Sequence, residues 1–323
     1  MIFEKQAVQT YKNMMYTRCD DTGKAFYFSS DDFEGLKKES CPFPSSAGHT
    51  LQGYLYQYDN PIPDRLVVFD HGFGGGHRSY MREIEQLCRH GFLVFAYDHT
   101  GCMESGGESP NGLAQSLADL DDCIRFIKGN AHFAGLDLSV MGHSWGGFST
   151  LNIVALHPEI KHVVVLSGFV SVELMVSSFF SGLMKGYRKA VMELERKSNP
   201  DYVNFNAVES LSKTSAKALL IYSDDDKMCR KTPHFDTLQV GLAGKDNIRL
   251  LLVSGKSHNP NYTADAVKYL NEYSDAVAKL TKKKLLETEE QKAAFRTSFD
   301  WNRMTAQDDA VWAEIFRTLD ADA

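Results

Sequence analysis

The strongest constraint on the fold is an alternation of short apolar runs with helical patterns, which begins near residue 50. Runs of this length that are rich in β-branched residues are typical of strands buried on both faces of a sheet. Apolar residues at helical spacing follow several of the runs. The alternation therefore predicts an α/β fold with a mostly parallel central sheet flanked by helices. The predicted strands are residues 51–58, 65–70, 92–97, 136–141, 162–166, 218–222 and 248–253, and the clearest helices are 79–90, 117–127 and 264–277.

One segment breaks this rhythm, because residues 168–214 are too long for a single crossover helix between two strands. A long insertion between sheet elements is commonly a functional lid, so we predict a helical cap inserted between the late strands. The alternative is that its apolar residues simply pack into the core. The expected organisation is an N-terminal extension of strand and turn elements joining the core (1–50), an α/β core (51–167 and 215–281), the cap or lid (168–214), and a C-terminal helical tail (282–323).

Charge and composition exclude several classes of protein. The chain has 35 basic and 42 acidic residues, so it lacks the basic surplus that general nucleic-acid binding needs. It shows neither a signal-like apolar segment at the start nor a run long enough to span a membrane, which predicts a cytoplasmic protein with no membrane span. Its six cysteines form no CxxC pair and are expected to be free thiols. We expect no metal and no cofactor, and a monomer or homodimer.

The strongest chemical signal is the stretch Gly142-His143-Ser144-Trp145-Gly146-Gly147, which lies between a predicted strand and a helical pattern. A serine hydroxyl attacks poorly unless it is exposed, held in place and given a base. A sharp strand-to-helix turn projects the hydroxyl away from the sheet, and glycines two residues before and after it avoid collisions with neighbouring backbone. This pattern predicts Ser144 as a nucleophile.

A glycine-rich stretch, His71-Gly72-Phe73-Gly74-Gly75-Gly76, follows an earlier predicted strand. Two backbone N–H groups aimed at one point stabilise the negative oxygen of a tetrahedral intermediate. We predict that the N–H groups of Phe73 and Trp145 form this oxyanion hole. A phosphate-binding loop is disfavoured, because neither GxGxxG nor GxxxxGK[ST] is present. The candidates for the substrate pocket are His143, Gly74, Phe179 and Phe180.

A base and an acid are expected in the loops after the last two predicted strands. His258 follows the last strand, and Asp226 ends a run of three aspartates after the preceding one. The carboxyl ends of parallel strands meet at one edge of a sheet, where sites gather in open α/β folds. The order serine, aspartate, histidine along the chain is the one that belongs to this architecture. Asp226 is preferred to Asp224 and Asp225 for its position relative to the strand.

With these residues in place, the chain resembles the α/β-hydrolase superfamily. Within it, the chain is similar to the branch of serine aminopeptidases, monoacylglycerol lipases and lysophospholipase-like enzymes. The resemblance covers roughly residues 50–280 and rests on HGFGGG, YDHTGCMESGG, GHSWGG, the SDDD loop and GKSHN. Thr100 and Met103 depart from the arginine and glycine common in this branch. The resemblance implies that residues 168–214 are a cap over an acyl pocket.

The resulting prediction is a serine hydrolase that cleaves carboxylic esters, or thioesters, of small to medium apolar acyl groups through Ser144, His258 and Asp226. The substrate would be a small-molecule ester or acyl compound. An aminopeptidase or amidase acting on short peptides is the first alternative, and Glu173 or Glu193 of the cap could grip the amino terminus. The second alternative is a non-hydrolytic member of the fold that binds a small molecule.

Overall fold

The central element is an eight-stranded sheet with the strand order β1-β4-β6-β5-β7-β8-β9-β10. The computed structural model describes residues 2–62 and 64–321. β1 and β4 run antiparallel to their neighbours, and the six strands from β5 to β10 are parallel. The strands are β1 Lys37–Ser40, β2 Phe43–Pro44, β3 Thr50–Leu51, β4 Gly53–Gln57, β5 Arg65–Asp70, β6 Leu93–Tyr97, β7 Asp137–His143, β8 His162–Leu166, β9 Lys217–Ser223 and β10 Ile248–Val253. The seven strands predicted after residue 50 are therefore present.

Helices cover both faces of this sheet. The α-helices are α1 Ile2–Met15, α2 Met81–His90, α3 Gln115–Gly129, α4 Ser144–Asn152, α5 Val172–Phe179, α6 Arg188–Ser198, α7 Ala207–Ser212, α8 Asp236–Gly241, α9 Ala264–Lys282, α10 Glu289–Thr297, α11 Trp301–Met304 and α12 Asp309–Leu319. Short 3₁₀ turns lie at Ser30–Asp32, His77–Tyr80, Ala131–Phe133, Ile153–Ala155 and Gly182–Tyr187, and a π-helical turn lies at Lys231–Phe235. The prediction of an α/β-hydrolase architecture with a mostly parallel sheet is confirmed.

Alternate residues of each central strand enter two separate apolar layers, because successive side chains of a strand point to opposite faces. In β5, Val68 packs with α3 and α4 on one face, while Val67 and Phe69 pack with α2 and α12 on the other. Each of these three side chains is fully buried. This burial on both faces explains why the strands are unbroken apolar runs in the sequence.

The segment between β8 and β9 contains α5, α6 and α7. The first two pack against each other, whereas α7 packs against α4 and α8 at the edge of the core. A contact joins α6 to the N-terminal helix α1. The last helix of residues 168–214 therefore belongs to the layer over the sheet, and a cap formed by α5 and α6 stays a prediction.

The N-terminal extension contains strands that join the core, since β1 belongs to the central sheet, but it begins with a helix, α1, that the sequence did not predict. This helix buries only Tyr11 and Met15 among its described side chains, which is too short a stripe to stand out in the sequence. Its packing against α6 is a tertiary contact. The C-terminal α12 buries Trp312 and Ile315 against the sheet.

Candidate active site

Ser144 lies at the turn from β7 into α4 and has a φ of 56°. This left-handed conformation is uncommon for a residue with a side chain. The flanking glycines are required by close backbone contacts. A Cβ on Gly142 would collide with the carbonyl of Gly146, and one on Gly146 would collide with the carbonyl of Asp70. The turn is therefore the sharp elbow that the sequence predicted.

His258 follows β10 and Asp226 follows β9, and both side chains converge on Ser144. The His258 Nε2 atom lies 2.8 Å from the Ser144 hydroxyl oxygen. The other ring nitrogen, Nδ1, lies 2.8 Å from Asp226 Oδ2. Three side chains that are far apart in the sequence thus form one continuous chain of hydrogen bonds.

Asp226 is held in the ionised form that such a chain needs. Its side chain is buried, which by itself would raise its pKa. Hydrogen bonds from His258 and from the backbone N–H of Met228 outweigh this effect and hold the pKa below its ordinary value. Asp226 Oδ1 accepts bonds from Met228 N at 2.7 Å and Cys229 N at 3.1 Å, so the loop fixes the carboxylate.

The three consecutive aspartates have different partners. Asp224 accepts a hydrogen bond from the backbone N–H of Gly255 at 3.0 Å, and Asp225 accepts one from that of Ser257 at 2.8 Å. Only Asp226 among them bonds to the imidazole of His258. The first two carboxylates therefore bond to the histidine loop, whereas Asp226 bonds to the histidine itself.

The predicted oxyanion loop lies beside the elbow because β5 and β7 are neighbours, with Asp70 paired to Gly142 in register. The Phe73 ring contacts the Trp145 ring at a centroid distance of 5.1 Å. The Trp145 N–H belongs to the first turn of α4, where backbone donors have no partner within the helix. Gly74 has a φ of 91°, and a Cβ there would meet no atom within 4 Å. The loop therefore leaves open space beside the two proposed donors.

His143 differs from its expected place in the substrate pocket, because both of its ring nitrogens have partners within the protein. Its Nδ1 atom accepts a hydrogen bond from the Tyr80 hydroxyl at 2.7 Å, and its Nε2 atom donates one to the carbonyl of His258 at 2.8 Å. Burial, together with the nearby His258, lowers the pKa of His143 to about 3, so the ring is neutral. His143 therefore holds the loop of His258 in place through its hydrogen bond to the His258 carbonyl.

Tyr80 is a functional candidate that sequence reasoning missed. Its hydroxyl accepts a hydrogen bond from the backbone N–H of Gly72 at 3.1 Å while it donates to His143. The oxyanion loop is thus connected to the loop of His258 through two side chains. No motif in the sequence marks this tyrosine, because its role depends on a contact across 63 positions of the chain.

The cap residues proposed for the pocket fall into two groups. Phe180 is buried and packs against Tyr11 of α1, with 6.0 Å between the ring centroids. Its ring is therefore committed to the contact between cap and α1, which is a correction to its predicted role. Phe179 is half-buried, and a role for it in the pocket stays a prediction. Glu173 and Glu193 are both exposed to solvent.

Beneath the oxyanion loop lies a buried charged cluster that the sequence did not reveal. The His99 ring lies between two carboxylates, with Nε2 at 2.6 Å from Asp70 and Nδ1 at 3.1 Å from Asp119. Burial alone would lower the pKa of His99, but these carboxylates raise it to about 9. Ser149 of α4 donates a hydrogen bond to Asp70, which ties the elbow helix to the end of β5.

Within the described residues, 2–62 and 64–321, no group of three or more histidine, cysteine, aspartate or glutamate side chains is arranged to hold a metal ion. No helix in this part of the chain has the length and apolar character needed to cross a membrane.

Solved structures of α/β-hydrolases share this architecture. An esterase from Pyrococcus furiosus aligns over 80% of this chain and 96% of its own, with a TM-score of 0.58 and 18% identity. A putative dienelactone hydrolase from Klebsiella pneumoniae covers 89% of this chain and 99% of its own, with a TM-score of 0.54 and 17% identity. At such identities the likeness establishes the fold.

Sequence relatives match shorter segments. A monoglyceride lipase homolog from Monkeypox virus is 32% identical over 107 residues, which are 32% of this chain and 37% of the viral protein. The human acylamino-acid-releasing enzyme is 29% identical over 126 residues, which are 35% of this chain and 17% of that enzyme. The matches span less than half the length of these relatives.

The family described as "Serine aminopeptidase, S33" matches residues 61–249, which is more than half of the chain. The match contains β5 to β9, the oxyanion loop, the elbow and the aspartate loop, and it reaches the start of β10. The chain therefore belongs to this family of α/β-hydrolases.

Proposed function

We propose that the protein is a serine hydrolase that cleaves carboxylic esters of small to medium apolar acyl groups, with Ser144 as nucleophile, His258 as base and Asp226 as the acid that orients the histidine. Thioesters of the same acyl groups are included in the proposal. The observation that carries it is the continuous hydrogen-bonded path from the Ser144 hydroxyl through both nitrogens of His258 to Asp226, with 2.8 Å at each step.

The reaction follows from this geometry as two acyl transfers. His258 accepts the proton of Ser144 while the oxygen attacks the carbonyl carbon of the ester, and the same proton is then given to the leaving alcohol. A water molecule deprotonated by His258 attacks the acyl-enzyme and releases the acid. The N–H groups of Phe73 and Trp145 are the proposed donors to the oxyanion in both steps.

Cleavage of short peptides or amides is the second candidate. The name of the family and the likeness to the acylamino-acid-releasing enzyme favour it. A peptidase needs a group that holds the free amino terminus, and the two candidates for this role, Glu173 and Glu193, are both exposed to solvent. The esterase proposal is therefore preferred.

The decisive experiment combines covalent labelling with kinetics. A fluorophosphonate probe should label Ser144 in the folded protein, and Ser144→Ala should abolish both labelling and hydrolysis of p-nitrophenyl butyrate. Ser149→Ala is not a suitable control, because the Ser149 hydroxyl bonds to Asp70. The control is Ser178, a half-buried residue of α5 whose hydroxyl bonds to the backbone carbonyl of Leu174 in the same helix. Ser178→Ala should keep labelling and turnover.

The substrate class is decided by matched pairs of esters and amides that share an acyl group of two to eight carbons. The proposal expects kcat/KM for each ester to exceed that for its amide by far more than their difference in chemical reactivity. Efficient cleavage of aminoacyl amides with little esterase activity would favour the peptidase. Absence of labelling in the folded protein would count against both enzyme proposals.

A further inference from the structure

The N-terminal segment brings a second reactive group close to the oxyanion loop. Cys19 pairs with Cys102 in an isolated parallel β-bridge, although the two residues are 83 positions apart in the chain. The backbone N–H of Cys19 donates to the carbonyl of Gly101 at 2.9 Å, and that of Met103 donates to the carbonyl of Cys19 at 2.9 Å. This part of the segment is therefore in direct backbone contact with the loop after β6.

Arg18 strengthens the same contact. Its guanidinium donates hydrogen bonds to the carbonyls of Gly107 at 2.7 Å and Ser105 at 2.9 Å. A third bond reaches the carbonyl of Met103 at 2.5 Å. The position of Cys19 against Cys102 is thus fixed by five hydrogen bonds to a single loop.

The pairing gives the two thiols the geometry that a disulfide requires. Paired residues on neighbouring strands are about 4.8 Å apart, and their side chains share one face. Disulfide-bonded cysteines usually have Cα atoms about 4.4–6.8 Å apart, so the bridge lies within that range. The two sulfur atoms can therefore join with little backbone movement.

The two thiols differ in reactivity. The hydrogen bond from Cys102, opposed by burial and aided by the backbone N–H of Gly74, lowers the pKa of the Cys19 thiol. The pKa of Cys102 is raised, first by its hydrogen bond to Cys19 and then by burial. Cys19 is also only half-buried, whereas Cys102 is buried. Cys19 is thus the attacking thiolate and Cys102 the thiol that completes the bond.

The loop that carries Cys102 links this pair to the proposed active site. Met103, whose backbone N–H bonds to Cys19, packs against the glycine-rich stretch that contains Phe73, because a Cβ on Gly76 would lie 2.6 Å from the Met103 side chain. Joining the sulfurs of Cys19 and Cys102 would therefore constrain a loop that is in direct contact with the oxyanion loop.

We propose that Cys19 and Cys102 form a reversible dithiol–disulfide site, oxidised by small-molecule disulfides, that lowers turnover when it is oxidised. This proposal rests on the proposed function for its effect on activity, but not for its chemistry. The Cys19 thiolate attacks a sulfur of the small disulfide, forms a mixed disulfide and releases one thiolate. Cys102 then loses its proton and attacks the Cys19 sulfur, which releases the second thiol. One protein dithiol and one disulfide give one protein disulfide and two small thiols.

The test uses the full chain treated with oxidised glutathione and mapped by mass spectrometry without reduction. We expect a cross-linked peptide pair containing Cys19 and Cys102, with a loss of two hydrogen atoms in the intact protein, and reversal by dithiothreitol. Cys19→Ser and Cys102→Ala should each prevent this cross-link. Cys41→Ser is the matched control, since Cys41 is the other half-buried cysteine, and burial raises the pKa of its thiol.

Activity is measured on the same samples with p-nitrophenyl butyrate. Oxidation should lower kcat of the wild type and of Cys41→Ser by about five-fold or more, and leave the rates of the two pair variants unaltered relative to their own reduced forms. Failure of the cross-link to form would overturn the proposal. A cross-link with unchanged turnover would overturn its connection to the oxyanion loop. A protein without esterase activity that still forms the cross-link would count against the proposed function alone.

Discussion

Ser144 holds a left-handed backbone conformation, and two other serines at the same edge of the sheet share it. Ser167 has a φ of 49° just after β8, and Ser257 has a φ of 49° just before His258. Such conformations cost roughly 1–3 kcal/mol each and persist only where the surrounding structure enforces them. Their clustering at the ends of neighbouring strands indicates that the chain turns sharply there to aim side chains at one point.

Replacing Asp226 by asparagine tests the orienting role of this carboxylate. Asp226→Asn keeps the shape of the side chain but removes the charge and favours the wrong tautomer of His258. We expect kcat for p-nitrophenyl butyrate to fall by roughly four orders of magnitude, as in other serine triads. Asp225→Asn alters bonds from the backbone and hydroxyl of Ser257 and from the hydroxyl of Ser223 but none to His258, so it should lower kcat less than ten-fold. Equal losses in the two variants would mean that both carboxylates act only on the loop.

At the scale of elements, α4 and α1 are held by very different forces. α4 packs against β5 and β7, and its glycines allow backbone contact with the sheet. α1 lies outside the sheet and contacts α6 of the cap. The buried carboxylate of Glu195 in α6 joins α6 to α1. It accepts hydrogen bonds from Tyr11 at 2.7 Å, from Tyr16 at 3.1 Å and from the backbone N–H of Leu113 at 2.8 Å.

Gly146→Ala should strongly destabilise the fold, because the added methyl group would collide with backbone atoms of Asp70 and His71. Neighbouring backbone cannot move aside cheaply, so we expect a loss of at least about 3 kcal/mol in the free energy of unfolding. Gly129→Ala at the end of α3 meets no atom within 4 Å and should raise stability by up to about 1 kcal/mol. Urea unfolding followed by circular dichroism measures both, and a neutral effect of Gly146→Ala would show that the elbow has room.

Tyr11→Phe tests the bond between α1 and the cap. The variant removes the 2.7 Å hydrogen bond to Glu195 and leaves a buried carboxylate with one donor fewer. The expected loss is about 1.5–3 kcal/mol, the range for hydrogen bonds to charged groups. Tyr16→Phe should cost less, because its bond to Glu195 is longer and its ring is less buried. Chemical unfolding measures the loss of stability in each variant. A larger loss for Tyr16→Phe than for Tyr11→Phe would show that Tyr16 makes the stronger bond to Glu195.

At the scale of the whole molecule, a buried charge joins three elements at the ends of the strands. His99 and its two carboxylates connect β5, the loop after β6 and α3. His71 beside it remains neutral, since burial and the charge of His99 lower its pKa to about 3. The cluster therefore holds one positive charge between two carboxylates beneath the oxyanion loop.

This arrangement predicts a loss of stability in alkaline solution. The folded pKa of His99, about 9, lies above its ordinary value of 6.5, so its stabilising contribution is complete below pH 6.5 and is lost as the pH rises through 9. We expect the free energy of unfolding to fall by roughly 1–3 kcal/mol across this window. Urea unfolding at several pH values measures the fall, and the imidazole resonance of His99 should titrate near pH 9. A midpoint near 6.5 would contradict the buried ion pair.

Much of the molecule follows from local patterns in the sequence. The strands from β5 to β9 are largely apolar because both of their faces are buried, and period and length are enough to recognise them. Ser144, His258 and Asp226 could be selected because the elbow needs glycines at fixed spacing and because parallel strands end at one edge. The glycine spacing and the apolar runs can each be recognised within a short stretch of the sequence.

Tertiary structure alone decided the remaining features, since each depends on groups that meet only after folding. The helix α1 is held by a carboxylate 184 positions away, and His143 braces a loop through a carbonyl 115 positions away. The ion pairs of His99 and the contact between Cys19 and Cys102 likewise join distant segments. Local spacing determines which elements form and which edge carries the chemistry, whereas long-range packing determines which polar groups are buried together and therefore which of them are charged.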